Sequence, residues 1–256
     1  MRFINLLVLI FLIFSFSNAQ EYKAREIYPI SSGELIFAWN DAKFNEASDF
    51  FIQNPNSELN ANNLRFSLFF HLSQYWHYDF TQNIGMFTGL GVRNVGMSTN
   101  EKHDFNNDGI LENFKFVRRN YLLGVPLALK LGAFKDNIYI FGGIEYEMSL
   151  HYKQKYWQSH TRSGGKTIEK QWFGEQAPAF LPSYFVGIQF PKGIHLSVKR
   201  YTENFLNTSY SNNGGINDFS RYAQSKITYI SLSWQVRSEK IRKSVQKEDK
   251  TVYTSL

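Results

Sequence analysis

The 256-residue sequence predicts an all-β fold, an eight-stranded antiparallel up-and-down transmembrane β-barrel. Segments of alternating apolar and polar residues support this prediction, and so do connections that alternate between long and short. Aromatic residues, which favour strands, make up 17% of the chain, with 24 Phe and 15 Tyr. A ten-stranded barrel that uses part of a long loop is the alternative.

The first twenty residues have the features of a secretory signal peptide. One Arg precedes an apolar run from Ile4 to Phe14, and the small residues Ser17 and Ala19 come just before Gln20. We expect cleavage after Ala19, because the apolar run is shorter than the ~20 residues that a membrane-spanning helix needs. The predicted organisation is a signal peptide at 1–19, an N-terminal periplasmic segment at 20–32, the barrel at 33–236 and a basic C-terminal tail at 237–256.

Composition excludes several classes of protein. The chain has no Cys, so neither a disulfide framework nor a lipid-modified Cys is available. After the signal peptide no long apolar run remains and the mean hydropathy is −0.36, which excludes helical membrane spans. The net charge of +6 could favour a nucleic-acid partner, but export argues against one.

Eight segments show alternation. In the longest, 138–155, apolar residues at even positions alternate with Glu145, Glu147 and further polar residues at odd positions. Pro126 cannot donate to a strand ladder, and we expect a bulge there. The predicted strands are 33–40, which is the least regular, 64–73, 84–93, 121–131, 138–155, 184–190, 194–199 and 229–236.

The lengths of the connections predict a barrel with long loops at one end and short turns at the other. Short turns are expected at 77–82, 133–137 and 191–193. Long polar segments are expected at 41–61, 98–113, 156–180 and 206–221. Long loops outside and short turns in the periplasm are the layout of outer-membrane barrels.

A soluble sandwich or lipocalin-like barrel would alternate in the same way. Three features favour the membrane: small residues on the inner face, strands longer than the usual 3–10 residues, and aromatic residues at the ends of apolar stripes. The inner-face glycines are Gly85, Gly89, Gly91, Gly124, Gly143 and Gly187. The predicted interfacial aromatic residues are Tyr121, Tyr152, Tyr184 and Trp234.

A family resemblance covers nearly all of the mature chain. It rests on "NAQ" at the end of the signal peptide, "YLLGVPLALKLGAFKDNIYIFGGIEYE", "PSYFVGIQFPKGIHLSVKRY" and "YISLSWQV". These segments resemble the small outer-membrane β-barrel proteins of Bacteroidota, the porin-family or PorT-like barrels. The resemblance implies an outer-membrane location more firmly than an activity.

Charged residues of inner-face parity predict an ion-pair network in the lumen, because unpaired charges in a narrow interior are costly. Its predicted members are Arg65, Arg93, Arg118, Lys130, Glu145, Glu147 and Lys199. Eight strands enclose a space that side chains can fill, which favours a plugged barrel. A narrow porin for small anions, selective through Arg65, Arg93, Arg118 and Lys199, is the alternative.

The segment "DFNNDGILE" resembles the start of a calcium-binding loop. Asp104, Asn106 and Asp108 alternate before Gly109, as in D-x-[DN]-x-[DN]-G, and Glu112 could supply a further carboxylate. Ordinary turns have the same composition. Calcium is therefore a possible ligand of residues 104–112, and no other cofactor is expected.

We expect a structural or partner-binding role through the extracellular loops, in contact with outer-membrane lipid and with other envelope proteins or surface glycans. An enzyme is not expected. The exception would be a lipid-directed hydrolase that uses His71 with Ser73, or Ser149 with His151, pairs that share a strand face on the predicted parity. No G-x-S-x-G motif accompanies them.

Overall fold

The computed structural model describes residues 25–61, 64–67, 71–105, 108–211 and 215–237. The predicted signal peptide and most of the predicted C-terminal tail lie outside these ranges. The described residues form thirteen strands. These are β1 (Ile27–Asn40), β2 (Lys43–Phe44), β3 (Glu58–Asn60), β4 (Arg65–Ser67), β5 (Leu72–Asp79), β6 (Ile84–His103), β7 (Glu112–Ala133), β8 (Ile138–Trp157), β9 (Lys166–Trp172), β10 (Phe180–Gln189), β11 (Ile194–Tyr201), β12 (Tyr222–Gln224) and β13 (Ile227–Arg237).

Helical structure is minor within the described ranges. One α-helix, α1 (Asp49–Gln53), begins after Ser48, whose side chain accepts a hydrogen bond from the Phe51 N–H. Three short 3₁₀ segments are Phe134–Asp136, Pro191–Gly193 and Phe219–Arg221. None of the helices in the described ranges has the length and apolarity that a membrane crossing requires.

Eight of the strands close into a ring, which confirms the predicted up-and-down barrel. Each ring strand pairs antiparallel with the next one along the chain, and β13 pairs with β1 to close the sheet. The order around the barrel is β1, β5, β6, β7, β8, β10, β11, β13. The short strand β4 also pairs with β1, beyond the part of β1 that β5 covers.

The register fixes the tilt of the strands. A path through paired residues leaves β1 at Ile27 and returns to β1 at Phe37, which is ten residues further along. The path is Ile27, Tyr78, Met86, Leu129, Gly142, Val186, Val198, Ile230 and Phe37. Eight strands with this stagger tilt by about 40°, so each residue rises about 2.5 Å along the barrel axis.

The two faces of the barrel wall differ in polarity. Outward-facing apolar residues are largely exposed, among them Leu129 (62%) and Ile144 (64%), whereas the charged residues of the same strands point inward and are buried. The outward positions of 27–37, 72–78, 84–92, 123–131, 138–148, 184–190, 194–198 and 230–236 carry no charged side chain. The polar pair on this face, Ser31 and Gln74, is joined by a 2.8 Å hydrogen bond. A soluble barrel has the opposite distribution.

Three ring strands continue well beyond this apolar band at the end that carries the long connections, which we call the loop end. β6 and β7 pair to His103 and Glu112, and β8 pairs with β9 to form a further hairpin. Strand therefore occupies 98–103 and 112–113 of the predicted loop 98–113, and 156–157, 166–172 and 180 of the predicted loop 156–180. Strands β6, β7 and β8 are long because the alternation of outward and inward residues continues beyond the residues that form the apolar band.

The other long connections pack over the barrel mouth as a cap. β2 pairs with β12, and buried Phe50 of α1 packs edge-on against His103 at 5.2 Å. Phe205, Leu206 and Phe219 are buried in one cluster with inward residues of the ring strands. The loop end is thus a folded extension of the barrel.

Two local predictions are wrong. β1 begins at Ile27, so 27–32 belongs to the barrel and not to a periplasmic segment. Pro126 keeps its register opposite Glu145, and its carbonyl accepts a hydrogen bond from Thr88 Oγ1. The bulge lies instead in β8, where Tyr121 pairs with His151 and Leu122 with Ser149.

Leu150 is therefore an extra residue, and it reverses the parity of everything that follows in β8. Tyr152 and Gln154 point inward and are buried, whereas Lys153 and Lys155 point outward. The prediction of Tyr152 as an outward interfacial residue is wrong for this reason. Tyr184, on a strand without a bulge, is 52% exposed on the outer face.

Candidate functional site

The barrel interior holds three clusters of charged residues at different heights. The central cluster consists of Glu34, Arg93, Glu145, Glu147 and Lys199, three carboxylates facing two cations. These side chains come from β1, β6, β8 and β11, so the cluster crosses the lumen. Arg93 is 3% exposed and Glu147 is fully buried.

Arg93 is the hub of the central cluster. Its Nε and Nη2 donate to the two oxygens of Glu34 at 3.3 and 3.0 Å, and its Nη1 donates to Glu145 and to Glu147 Oε1. Lys199 Nζ donates to Glu145 Oε2 at 2.5 Å. Charge-assisted bonds of this kind compensate for the cost of burying each ion.

A second cluster lies toward the short turns. Lys130 Nζ is 2.6 Å from Asp79 Oδ1 and donates to the Tyr28 hydroxyl at 2.7 Å, and that hydroxyl donates to Asp79 Oδ2 at 3.0 Å. His77 Nδ1 is 3.2 Å from the same ammonium. The side chains of β1, β5 and β7 close this end of the lumen.

A third cluster lies at the loop end, centred on Glu101. Arg118 Nη1 donates to Glu101 Oε1 at 3.1 Å, His103 Nε2 is 2.8 Å from Oε2, and the Tyr222 hydroxyl donates to Oε1 at 2.5 Å. Arg221, from the cap, reaches Oε2 at 3.5 Å. This cluster joins the cap to the barrel wall.

The loop-end cluster shifts the protonation of its members. Burial raises the pKa of Glu101, but Arg118, His103 and Arg221 outweigh burial and hold that pKa well below its usual range. Burial lowers the pKa of His103 despite the attraction of Glu101. Burial and Glu101 raise the pKa of Tyr222 to about 12 against the opposing effect of the arginines. Near neutral pH the carboxylate is charged and the imidazole is neutral.

Apolar layers fill the lumen between the clusters. Between the turn-side and central clusters lie Phe87, Phe141 and Phe185, with ring centroids about 6 Å apart. Between the central and loop-end clusters lie Ile36, Val95, Leu122, Tyr201 and Tyr229. The cavity beside the central cluster has a volume of about 20 Å³, room for one or two water molecules.

The structure divides the predicted lumen network. Arg93, Glu145, Glu147 and Lys199 lie together, whereas Lys130 and Arg118 belong to the clusters at either end. Arg65 lies in none of the three. Its guanidinium donates to the Asn94 carbonyl at 3.3 Å and to Asn94 Oδ1 at 3.0 Å, at the gap between β4 and β5.

Three carboxylates that pair with these cations are not among the predicted members of the network: Glu34, Asp79 and Glu101. Glu34 shares inward parity with Ile36 and Ala38 in a strand that was predicted, so its position could have been read. Asp79 continues the inward parity of β5 in the same way. Glu101 and His103 were assigned to a loop, and Arg221 carries no local signal.

Asp104, one of the predicted calcium residues, accepts hydrogen bonds from two backbone N–H groups. Asp104 Oδ1 accepts from the Asp108 N–H at 3.1 Å, and its Oδ2 accepts from the Gly109 N–H at 2.7 Å. Gln158 donates to Glu112 at 2.6 Å. Asn106 lies outside the described residues, among which no group of three His, Cys, Asp or Glu is arranged to hold a metal. Calcium binding stays a prediction.

The two His–Ser pairs have different outcomes. Ser149 and His151 do not share a face, because the bulge at Leu150 separates them, and the prediction that they do is wrong. Ser149 Oγ donates to the Pro178 carbonyl, whereas His151 packs on Trp172 at 4.5 Å. His71 has both ring nitrogens engaged, with Ser67 Oγ at 2.8 Å and the Asn94 N–H at 3.3 Å.

No protein-family model and no curated protein matches this sequence. Similar solved structures include Ail, the attachment invasion locus protein of Yersinia pestis, in complex with a heparin analogue, at 10% identity and a TM-score of 0.35 over 82% of this chain and 99% of Ail. The outer membrane protein OprG of Pseudomonas aeruginosa has 10% identity and a TM-score of 0.34 over 86% and 100%. CarO2 of Acinetobacter baumannii has 9% identity and 0.33 over 82% and 100%. The resemblance to Bacteroidota barrels is not supported by these comparisons and stays a prediction.

Proposed function

We propose that this protein is an outer-membrane barrel, closed to solutes, that supports a rigid binding surface at its extracellular loop end. The observation that carries the proposal is a filled interior beneath an uncharged, apolar outer face. On this proposal the membrane-spanning segments are 27–37, 72–79, 84–94, 121–133, 138–148, 180–190, 194–199 and 228–236.

The outer face supports membrane insertion. Ten residues at about 2.5 Å of rise each cover the ~25 Å apolar band of an outer-membrane barrel. Leu123, Val125, Leu127, Leu129 and Leu131 supply such a stretch on one strand. Interfacial aromatic residues lie at the edges of the band, with Trp76 near the short turns and Tyr184 near the loop end.

The interior supports closure. An anion crossing the lumen would have to pass the phenylalanine layer and then a central cluster whose formal charge is negative, with three carboxylates and two cations. Both barriers oppose a narrow anion-selective porin, the alternative function. Arg93, Arg118 and Lys199, three of the four cations that suggested selectivity, are held in ion pairs.

The loop end supports partner binding. The 20-residue strands β6 and β8 rise about 50 Å, twice the thickness of the band. The cap and the loop-end cluster fix this extension, so a partner would meet a preorganised surface. We propose other envelope proteins or surface glycans as the partner class.

Planar-bilayer recording tests closure. Refolded wild-type protein and Glu145→Gln should both remain silent over the full voltage range, since removing one carboxylate leaves the phenylalanine layer in place. Stable anion-selective steps that change with Glu145→Gln would instead favour the porin.

Cross-linking on intact cells tests partner binding. Replacing 158–165, the tip of the β8–β9 hairpin, with a two-residue Asn-Gly turn should remove cross-linked partners while the barrel keeps its heat-modifiable mobility. An unchanged set of partners would count against a binding role for this hairpin.

A further inference from the structure

A basic face lies on the outer side of the loop-end extension. It consists of Lys115, Arg119, Lys153, Lys155, Lys166 and Lys170. Arg119 pairs with Lys153, and Lys153 with Lys170, so three cations lie side by side on β7, β8 and β9. Neighbouring strands are about 4.8 Å apart, so these like charges are close together.

Carboxylates do not neutralise this face within the described residues. Outside the interior, the described ion pairs join Lys102 with Glu58 and Arg200 with Asp41. Glu169 of β9 turns to the opposite side, where Gln154 donates to it at 3.4 Å. An unpaired cationic surface of this density favours an anionic partner.

The cations of the basic face repel one another, and one of their hydrogen-bond donors has no acceptor among the described residues. Burial lowers the pKa of Lys155, and Arg119, Lys153, Lys166 and Arg162 lower it further. The buried Nε of Arg119 has no acceptor in the part of the chain that the structure describes. A bound anion would relieve the repulsion among these cations.

The height of the basic face identifies the anion. An aromatic row formed by Tyr121, His151 and Trp172 separates the basic face from the apolar band, with ring centroids 5.6 and 4.5 Å apart. Arg119 is two residues beyond Tyr121 and Lys115 is six, so the cations lie about 5 to 15 Å past the aromatic row. The headgroup region extends about 5 to 8 Å beyond the hydrocarbon on each side, so Arg119, Lys153 and Lys170 lie at the height of the headgroups.

The basic face is confined to one side of the barrel. On β11, close to the edge of the apolar band, Arg200 is paired with Asp41 at 2.8 Å and with the Thr228 hydroxyl at 2.8 Å. A general attraction to the membrane would not require such concentration. The asymmetry fits a site for one or a few anionic lipids beside β7, β8 and β9.

We propose that the basic face binds the phosphate groups of glycolipids in the leaflet that surrounds the loop end. Arg presents a fork of donors that matches phosphate oxygens, and Lys adds point charges around it. The aromatic row would hold the sugar–acyl boundary below. This inference rests on the membrane placement proposed above.

Lipid titration of the full refolded chain in nanodiscs tests the inference, with bisphosphorylated lipid A and dephosphorylated lipid A as probes and native mass spectrometry as the readout. Wild-type protein should bind the phosphorylated form at least about tenfold more tightly, since each cation near an anionic headgroup contributes about a fivefold factor. Higher salt should weaken this preference. Equal binding of both lipids would overturn the proposal.

Two matched variants locate the site. The test variant is Lys153→Gln/Lys155→Gln/Lys170→Gln, and it should lose the preference for phosphorylated lipid. The control variant is Lys43→Gln/Lys135→Gln/Lys192→Gln, which has the same change of charge at exposed positions elsewhere and should keep that preference. Equal loss in both variants would show a nonspecific charge effect and overturn the site. Lys170→Gln alone, on exposed β9, should weaken binding several-fold. This single substitution tests the site even if the triple variant does not fold.

Two controls separate the sources of failure. If the chain does not insert into vesicles, the proposed function fails, whereas insertion without phosphate preference removes only this inference. Inorganic phosphate or a soluble sulfated oligosaccharide should not displace the bound lipid at equal concentration. Tighter binding of the soluble oligosaccharide would reassign the basic face to a soluble glycan and overturn the lipid proposal.

Discussion

Arg93 stabilises the middle of the barrel through its contacts with Glu34, Glu145 and Glu147. Arg93→Met would leave three buried carboxylates with Lys199 as the remaining cation of the cluster. We expect a loss of about 3–5 kcal/mol in the free energy of unfolding, the range for one broken partner of a buried pair. Urea unfolding in lipid vesicles, followed by tryptophan fluorescence, measures it.

An exposed ion pair is the matched control for Arg93. Lys102 lies 2.6 Å from Glu58 with side-chain exposures of 33% and 62%, so Lys102→Met should cost about 1 kcal/mol or less. Adding Glu145→Gln to Arg93→Met should recover part of the lost stability. Similar losses for Arg93→Met and Lys102→Met would mean that the central cluster is not a stabilising hub.

The same substitution, glycine to alanine, should have different effects on stability at two adjacent positions. A Cβ at Gly143 would overlap the Leu127 carbonyl oxygen, whereas a Cβ at outward-facing Gly142 would be 3.5 Å from its nearest neighbour, the Phe185 carbonyl oxygen. Gly143→Ala should therefore destabilise the barrel by about 1–3 kcal/mol or more, the cost of overpacking. Gly142→Ala should be near neutral in the same urea titration, and equal effects would contradict the assigned faces.

At the scale of elements, the bulge in β8 decides which side chains face the cap. Because the chain lacks cysteine, single cysteines can report the parity without background. Lys153→Cys should react rapidly with a membrane-impermeant maleimide, and Gln154→Cys, at a buried position, should react slowly. Deletion of Leu150 should reverse this order. The same order with and without Leu150 would mean that the bulge does not set the parity.

The bulge also marks the limit of what the sequence could predict. Alternation identified seven of the eight ring strands and placed Glu145 and Glu147 inward, because a period of two is unambiguous within an uninterrupted strand. For β5 the predicted strand 64–73 is wrong, since it overlaps β5 only at Leu72 and Ser73, and the predicted turn 77–82 begins within β5. The inserted residue leaves no local trace, since Leu150 between Ser149 and His151 continues the alternation of apolar with polar residues. Continuing the odd parity past Leu150 therefore put Lys153 and Lys155 in the lumen and concealed the basic face.

The sequence could not predict contacts between distant elements, for a different reason. Arg221 and Tyr222 meet Glu101 only because the connection after β11 folds back over the barrel mouth. No periodicity encodes the path of such a connection. Parity could have predicted Glu34 and Asp79, which lie on strands of regular alternation.

For the whole molecule, the loop-end cluster makes the attachment of the cap depend on pH. The pKa of Glu101 is held well below its usual value, so its stabilisation is complete above the unfolded pKa near 4.5 and disappears as pH falls further. The lowered pKa of His103 acts in the same direction, because the unfolded chain takes up a proton below about pH 6.5 that the folded cap resists. Acid should therefore loosen the cap.

We expect the cap to unfold at lower urea concentration at pH 4 than at pH 7, while the membrane-embedded strands remain protected from hydrogen exchange. Glu101→Gln should lower the stability of the cap at pH 7 and reduce its dependence on pH, whereas Glu46→Gln, at an exposed position, should change neither. Hydrogen exchange of residues 202–226, measured in vesicles at both pH values, follows the cap directly. Because the barrel strands pair in a closed ring that does not need the cap, loss of the loop end at acid pH should leave heat-modifiable mobility intact. Simultaneous loss of cap and barrel would mean that the two are one cooperative unit, and that the loop-end surface cannot change independently of the membrane anchor.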